Sequence, residues 1–182
     1  MIPITNPFAP GAGTAPPELA GRDELLQTIH IATERIRLGY PSKSMLLIGL
    51  RGVGKTVLLD RMRDHAEAAG IQTLRIEAPE NRSLPALLAP QLRLCLLQLS
   101  RNAAAKDLAQ RALRGLAGFA KALKMKFEDI EVGFDFDPEP GLADNGDLEH
   151  DLQALLEVVG AAAKSAGSAL VMFVDELQYV RE

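Results

Sequence analysis

The sequence has one cysteine, no tryptophan and few aromatic residues, which make up only 4% of the chain. A single cysteine excludes a disulfide framework within the chain, and this is typical of a cytoplasmic protein. Cys95 lies within an apolar run from Leu92 to Leu99, so we interpret it as a small core residue rather than a nucleophile. Because aromatic side chains are scarce, the core has to be built from Leu, Ala, Val and Ile.

Long apolar runs, a signal peptide and an excess of positive charge are also missing. The most apolar stretch, Leu84–Leu99, is interrupted by Pro85, Pro90, Gln91 and Arg93, so we predict no membrane span. The N-terminus lacks the basic and apolar regions of a signal peptide. The three histidines are isolated, which gives no zinc spacing, and the net charge of −4 gives no general reason to expect nucleic-acid binding.

The remaining composition is that of a soluble globular domain. The chain has 182 residues, of which 47% are hydrophobic and 24% charged, enough for one domain with a sizeable core. Residues 1–17 contain five prolines and two glycines, which predicts an extended N-terminal arm. The folded part is therefore expected to span residues 18–182.

The segment Gly49–Thr56, GLRGVGKT, has the spacing G-x-x-x-x-G-K-[ST] of a phosphate-binding P-loop. The apolar run Ser44–Ile48 precedes it and predicts a buried strand. Apolar residues at helical spacing follow it, which predicts a helix; they are Val57, Leu58, Met62 and Ala66. A glycine-rich turn between a strand and a helix is the context that this motif requires.

The chemistry of a triphosphate explains the residue types in this segment. Glycines let the backbone adopt positive φ and direct N–H groups at one point, where the N-terminus of the following helix also directs its dipole. Lys55 is expected to reach the β- and γ-phosphates, and the Thr56 hydroxyl to ligate Mg²⁺. The predicted nucleotide contacts are Gly49, Leu50, Arg51, Gly52, Val53, Gly54, Lys55, Thr56 and Val57. The alternative is a glycine-rich turn that matches by chance; a dinucleotide site is disfavoured because G-x-G-x-x-G is absent here.

Hydrophobic periodicity places the other elements. Asp23 and Glu24 suit the first turn of a helix that ends near Gly39, and a strand is predicted over Ile71–Glu77. Three more helices are predicted, from near Ser83 to Leu99, from Leu108 to Leu123, and from Leu148 to near Gly167. A change to period two around residues 123–136 predicts a β-hairpin.

A second apolar run, Ala169–Val174, is of strand length and is followed by Asp175 and Glu176. An apolar strand that ends in an acid fits a Walker B element, in which the aspartate supports Mg²⁺. The adjacent Glu176 is placed to orient and polarise a water molecule for attack on phosphate. The alternative is a buried strand that ends in two solvated acids.

Together, Gly49–Thr56 and Leu170–Glu176 resemble the AAA+ and related P-loop ATPases that carry a catalytic glutamate. The segment Leu19–Leu25, LAGRDEL, resembles the one before the P-loop in origin-recognition-like and STAND-like ATPases. This resemblance implies that Gly21 and Arg22 lie beside the adenine. It also implies an α/β fold, a three-layer αβα P-loop NTPase with a parallel core sheet. Residues 18–182 are then the N-terminal portion of such a domain, incomplete at its C-terminus, with the hairpin as an insertion.

The function expected from the resemblance is Mg²⁺-dependent ATP hydrolysis that drives a conformational or assembly switch. Lys55 and Glu176 are the expected catalytic residues, and Thr56 and Asp175 the metal-binding ones. An open sheet edge would favour self-association. A nucleotide-gated DNA-binding protein that resembles origin-recognition initiators is the alternative. The seven basic residues and one acid from Arg101 to Lys126 would suit a DNA-facing helix. Eleven acids follow by Ala163, so mutual attraction or solvation explains the basic residues more simply. A small-molecule kinase is disfavoured because Glu176 would activate water.

Overall fold

The computed structural model describes residues 21–50, 52–78, 83–123 and 136–180. They divide into two compact units, one within Met1–Gly70 and the other within Ile71–Glu182. The predicted arm over residues 1–17 and nearly all of the predicted hairpin over 123–136 lie outside the described residues. Among the residues described, no helix combines the length and apolar character needed to cross a membrane.

The described part of the first unit contains two helices that pack against each other, α1 (Asp23–Arg37) and α2 (Lys55–Ala68). Asp23 and Glu24 occupy the first turn of α1, and Arg35 and Arg37 the last, as the helix dipole favours. The four apolar residues predicted for the buried face of α2 are all buried; they are Val57, Leu58, Met62 and Ala66. Both predicted helices are therefore confirmed, and α1 begins and ends within a few residues of its predicted bounds.

The predicted strand over Ser44–Ile48 is wrong in this structure, because residues 40–50 form neither helix nor strand. Leu46 and Ile48 are 66% and 87% exposed, although their apolar side chains suit a buried strand. A strand is stabilised by hydrogen bonds to a neighbouring strand, and the described part of the first unit contains none. The apolar run therefore has no sheet pairing.

Among its described residues, the second unit contains a parallel sheet of two strands, β1 (Gln72–Glu77) and β2 (Leu170–Asp175). Gln72 pairs with Leu170 and Glu77 with Asp175, so the carboxyl ends of both strands lie at the same end of the sheet. Both strands were predicted within two residues of their bounds. The described residues between them form three helices, α3 (Leu84–Leu99), α4 (Lys106–Ala122) and α5 (Leu148–Ser165). The fold is thus α/β with a parallel sheet, as expected, although the described sheet is small.

The core of the second unit is formed by α3, α4, α5 and the sheet. Leu92 and Leu96 of α3, Phe119 of α4 and Leu155 of α5 have no exposed surface. Helix α3 begins after Ser83 with Pro85 in its first turn, where a proline costs no hydrogen bond. Cys95 is 5% exposed within this core, and burial raises the pKa of its thiol to about 11. It is therefore a core residue, as the sequence indicated.

A segment that we call the strap, residues 136–147, packs over two glycines of α4. A Cβ at Gly115 would lie 2.8 Å from Cδ2 of Leu142, and one at Gly118 would lie 3.3 Å from the Leu142 carbonyl oxygen. The ends of the strap are held by charge. Arg111 of α4 donates to Glu139 at 2.9 Å, and the buried carboxylate of Asp151 accepts from the N–H groups of Asn145 and Gly146.

Gly115→Ala is expected to destabilise the protein, whereas Gly160→Ala is expected to stabilise it. Both glycines are helical, so each alanine gains up to about 1 kcal/mol of helix propensity. At Gly115 the new methyl group displaces Leu142, which costs about 1–3 kcal/mol. At Gly160 nothing lies within 4 Å. Urea unfolding of both variants measures the difference, and equal stabilisation by the two alanines would contradict the close packing of the strap.

Candidate functional site

The turn before α2 has the backbone conformation that the glycine-rich sequence predicted. Gly52 and Gly54 both have a φ of +83°, in the left-handed region that strains other residues. Gly54 is the N-cap residue of α2, and Lys55 is the first helical residue. The backbone conformation at these two positions therefore requires glycine. This favours a phosphate-binding loop over a glycine-rich turn that matches the motif by chance.

Lys55 reaches back across this loop. Its Nζ donates hydrogen bonds to the carbonyl oxygens of Gly49, at 2.9 Å, and of Leu50, at 2.8 Å. The loop is also narrow, because a Cβ at Gly49 would lie 3.2 Å from Cγ2 of Val53. The ammonium group thus lies beside the first residues of the loop. Lys55 also begins α2, whose N-terminus is the positive end of the helix dipole.

Thr56 and Val57 follow in the first turn of α2. Thr56 is partly exposed, and Val57 is 9% exposed and belongs to the buried face of the helix. The backbone N–H groups of a first turn have no helical acceptor, so both residues can present donors to an anion. The side chain of Arg51, another predicted contact, lies outside the described residues.

Gly21 and Arg22 lie in the same unit as the loop and precede α1. Gly21 has a φ of +73°, and Arg22 is the N-cap residue of α1. The Arg22 guanidinium donates a hydrogen bond to the carbonyl oxygen of Val53 at 3.2 Å. No motif indicates this contact, since the two residues are 31 positions apart and the resemblance points only to the adenine.

Asp175 and Glu176 lie at the carboxyl end of β2 in the second unit. Asp175 is the last residue of the strand, and its Oδ1 accepts from the backbone N–H of Glu176 at 3.0 Å. Its carbonyl oxygen accepts from the N–H of Ala78 just beyond β1. The carboxylate of Asp175 therefore has a defined orientation at the tip of the strand.

Glu176 has a φ of +53°, which is uncommon for a residue other than glycine. This conformation turns the chain from β2 into a short 3₁₀ helix, Leu177–Tyr179. The Gln178 side chain amide donates to Oε2 of Glu176, which restrains the exposed carboxylate. Gln178 was not predicted as part of the site, because no motif marks it. A strained conformation at a strand end is a common property of functional residues.

The predicted residues thus form two groups, each described within its own unit. The first contains Gly21, Arg22 and the loop around Lys55, and the second contains Asp175 and Glu176. In the described part of the chain, no three His, Cys, Asp or Glu residues are arranged to hold a metal ion by themselves. A metal at this site would need other ligands, such as the Thr56 hydroxyl and phosphate oxygens.

A comparison with protein-family models matches residues 18–182 to the AAA ATPase domain. The match covers nearly all of the chain, including both groups of residues. The chain belongs to the AAA ATPase domain family. Neither curated proteins nor solved structures gave a match. Membership of the AAA ATPase domain family identifies the chain as an ATP-binding module of the AAA type.

Proposed function

We propose that this AAA module binds Mg-ATP through Gly49–Val57, with Gly21 and Arg22 beside that loop. We propose further that the protein hydrolyses ATP to drive a conformational or assembly switch. The observation that carries the proposal is the loop at the N-terminus of α2, with two glycines at positive φ and Lys55 beside them. Such a loop offers several backbone N–H donors and one cation within a small concave space.

The chemistry of this loop fits a polyphosphate and a hard cation. Lys55 holds two loop carbonyls through exposed hydrogen bonds, which a phosphate can replace at little cost. The Thr56 hydroxyl and the Asp175 carboxylate are oxygen ligands of the kind that Mg²⁺ prefers. When bound, Mg²⁺ neutralises charge on the phosphate oxygens. The residues of the chain orient the phosphates, donate hydrogen bonds to them and provide a base for the attacking water.

Glu176 is proposed as the group that orients the attacking water and accepts its proton. Support comes from its position one residue after Asp175, its left-handed conformation and the contact with Gln178. A carboxylate at a strand tip can accept a proton from water and return it to the product phosphate. Asp175 and Glu176 then have separate roles, one toward the metal and one toward water.

Nucleotide-gated DNA binding, the alternative, gains no support from the basic stretch. Arg111 forms an ion pair with Glu139 at 2.9 Å, and Arg114 lies 3.9 Å from the same carboxylate. These two arginines hold the strap to α4. Both arginines thus lie near one acidic partner within the second unit, which favours the interpretation that the basic and acidic stretches attract each other.

The 182-residue chain is expected to bind Mg-ATP much better than it hydrolyses it. Glu176 is exposed at the tip of a two-stranded sheet, and β2 pairs only with β1 among the described residues. Displacement of a reacting group by about 1 Å can cost about a hundredfold in rate. The open edge of β2, where Met172 is 40% exposed, is also proposed to favour self-association.

Phosphate release by the purified chain tests this expectation, with Lys55→Ala as the blank and sedimentation to record the oligomeric state. We expect measurable ATP binding and a turnover far below the ordinary enzyme range. A turnover of about 1 s⁻¹ from a monodisperse monomer would show that Glu176 is already held in a productive position.

A further inference from the structure

The hydrogen bond between Arg22 and the Val53 carbonyl links α1 to the loop before α2. We propose that Arg22 is a positioning residue that fixes the orientation of the peptide between Val53 and Gly54. The inference rests on the proposed function, in which the Gly54 N–H is one of the donors offered to phosphate. It gives Arg22 a different task from a contact with the adenine.

The planarity of the peptide bond makes this contact consequential. In a trans peptide the C=O and the following N–H point in opposite directions. A donor that holds the Val53 oxygen at 3.2 Å therefore directs the Gly54 N–H away from Arg22. Loss of the donor frees both groups of this peptide to rotate together.

The peptide needs such a restraint because glycine follows it. Rotation of the peptide plane changes ψ of Val53 and φ of Gly54, and glycine adopts either sign of φ readily. Gly54 has a φ of +83°, and Val53 is 42% exposed, so neighbouring side chains give little steric restraint. The guanidinium is the one side-chain donor that the structure records on this carbonyl among the described residues.

Arg22 is itself well anchored. It is the N-cap residue of α1, and its carbonyl oxygen accepts from the N–H of Leu26 at 3.0 Å. Helix α1 packs against α2, the helix that the loop enters. The guanidinium therefore extends from a fixed point, which lets one hydrogen bond set the direction of a loop peptide. The other arginines of α1 have different partners: Arg35 donates to Pro41 and Arg37 to Glu34.

The test uses Mg-tripolyphosphate, which has phosphates but no base or sugar, beside Mg-ATP. Binding is measured by calorimetry for the wild type, Arg22→Met, Arg22→Lys and the control Arg37→Met. We expect Arg22→Met to lower the affinity for both ligands about tenfold, the usual effect of losing a charged hydrogen-bond donor. Arg22→Lys, which keeps a charged donor, should recover most of the affinity, and Arg37→Met should match the wild type.

Two results would overturn the inference. If Arg22→Met weakens ATP but not tripolyphosphate, the side chain acts on the nucleoside. If it weakens neither ligand, the hydrogen bond has no role in binding. Circular dichroism and thermal melting of each variant establish that it is folded.

The amide NMR signal of Gly54 tests the same inference without any ligand. It is expected to shift or broaden in Arg22→Met and to stay in place in Arg37→Met. An unchanged Gly54 signal would contradict the restraint. If the wild type binds neither ligand, the proposed function fails, and the Gly54 signal still decides whether Arg22 orients the peptide.

Discussion

Lys55→Ala is expected to abolish the stabilisation that Mg-ATP gives to the wild-type chain. At a concentration about 100 times the Kd, ATP should stabilise the wild type by about 2.7 kcal/mol. The alanine variant lacks the cation at the start of α2 and the two hydrogen bonds from Nζ to the loop. The shift in melting temperature with and without Mg-ATP measures the effect.

The matched control is Lys43→Ala, which removes an exposed lysine from the same unit. It should keep the full ATP-dependent shift, because Lys43 lies before the loop in an irregular segment. The bonds lost in Lys55→Ala are exposed, so the ligand-free stability of that variant should change by only about 1 kcal/mol. An undiminished ATP shift in Lys55→Ala would refute the phosphate role of Lys55.

Glu176→Gln is expected to retain ATP binding and to lose most hydrolysis. The amide has the size and shape of the carboxylate and can still accept a hydrogen bond from Gln178, but it cannot accept a proton from water. Loss of a general base typically costs about 10²–10⁴ in rate. The measurement is phosphate release in a form of the protein that turns over, together with ATP affinity.

Glu77→Gln is the control for this variant. Glu77 is an exposed acid that pairs in register with Asp175, at the carboxyl end of the neighbouring strand. It should leave turnover unchanged. Glu176→Gln keeps the positive φ at position 176, so its backbone strain is unchanged. Glu176→Gln and Glu77→Gln should therefore have similar free energies of unfolding. Equal hydrolysis by Glu176→Gln and the wild type would reduce Glu176 to a solvated strand-end acid.

The helices were predictable because their information is local. Val57, Leu58, Met62 and Ala66 recur at the period of a helix, and all four are buried on one face of α2. The glycines of the loop were predictable for a similar reason, since positive φ is a property of single residues. Helix bounds and loop conformation therefore followed from short stretches of sequence.

The lack of a strand over Ser44–Ile48 could not be predicted in this way. Apolar residues indicate that a segment is suited to a sheet, but the hydrogen bonds that make it a strand come from elsewhere in the chain. The same applies to the contact between Arg22 and Val53, and to the packing of Leu142 against Gly115. Each joins residues at least 27 positions apart, and no short motif records such a pairing. The roles of Lys55, Thr56, Asp175 and Glu176 stay predictions until the variants are measured.

Cys95 gives the protein an internal chemical reporter. Alkylating reagents attack the thiolate, and a buried thiol with a pKa of about 11 forms little of it near neutral pH. Labelling therefore requires the core around α3 to open, and its rate measures that opening. The first unit, which carries the loop, contains no cysteine, because Cys95 is the only one in the chain. The change in labelling rate caused by ATP is consequently a measure of the coupling free energy between nucleotide binding and opening of the core around α3.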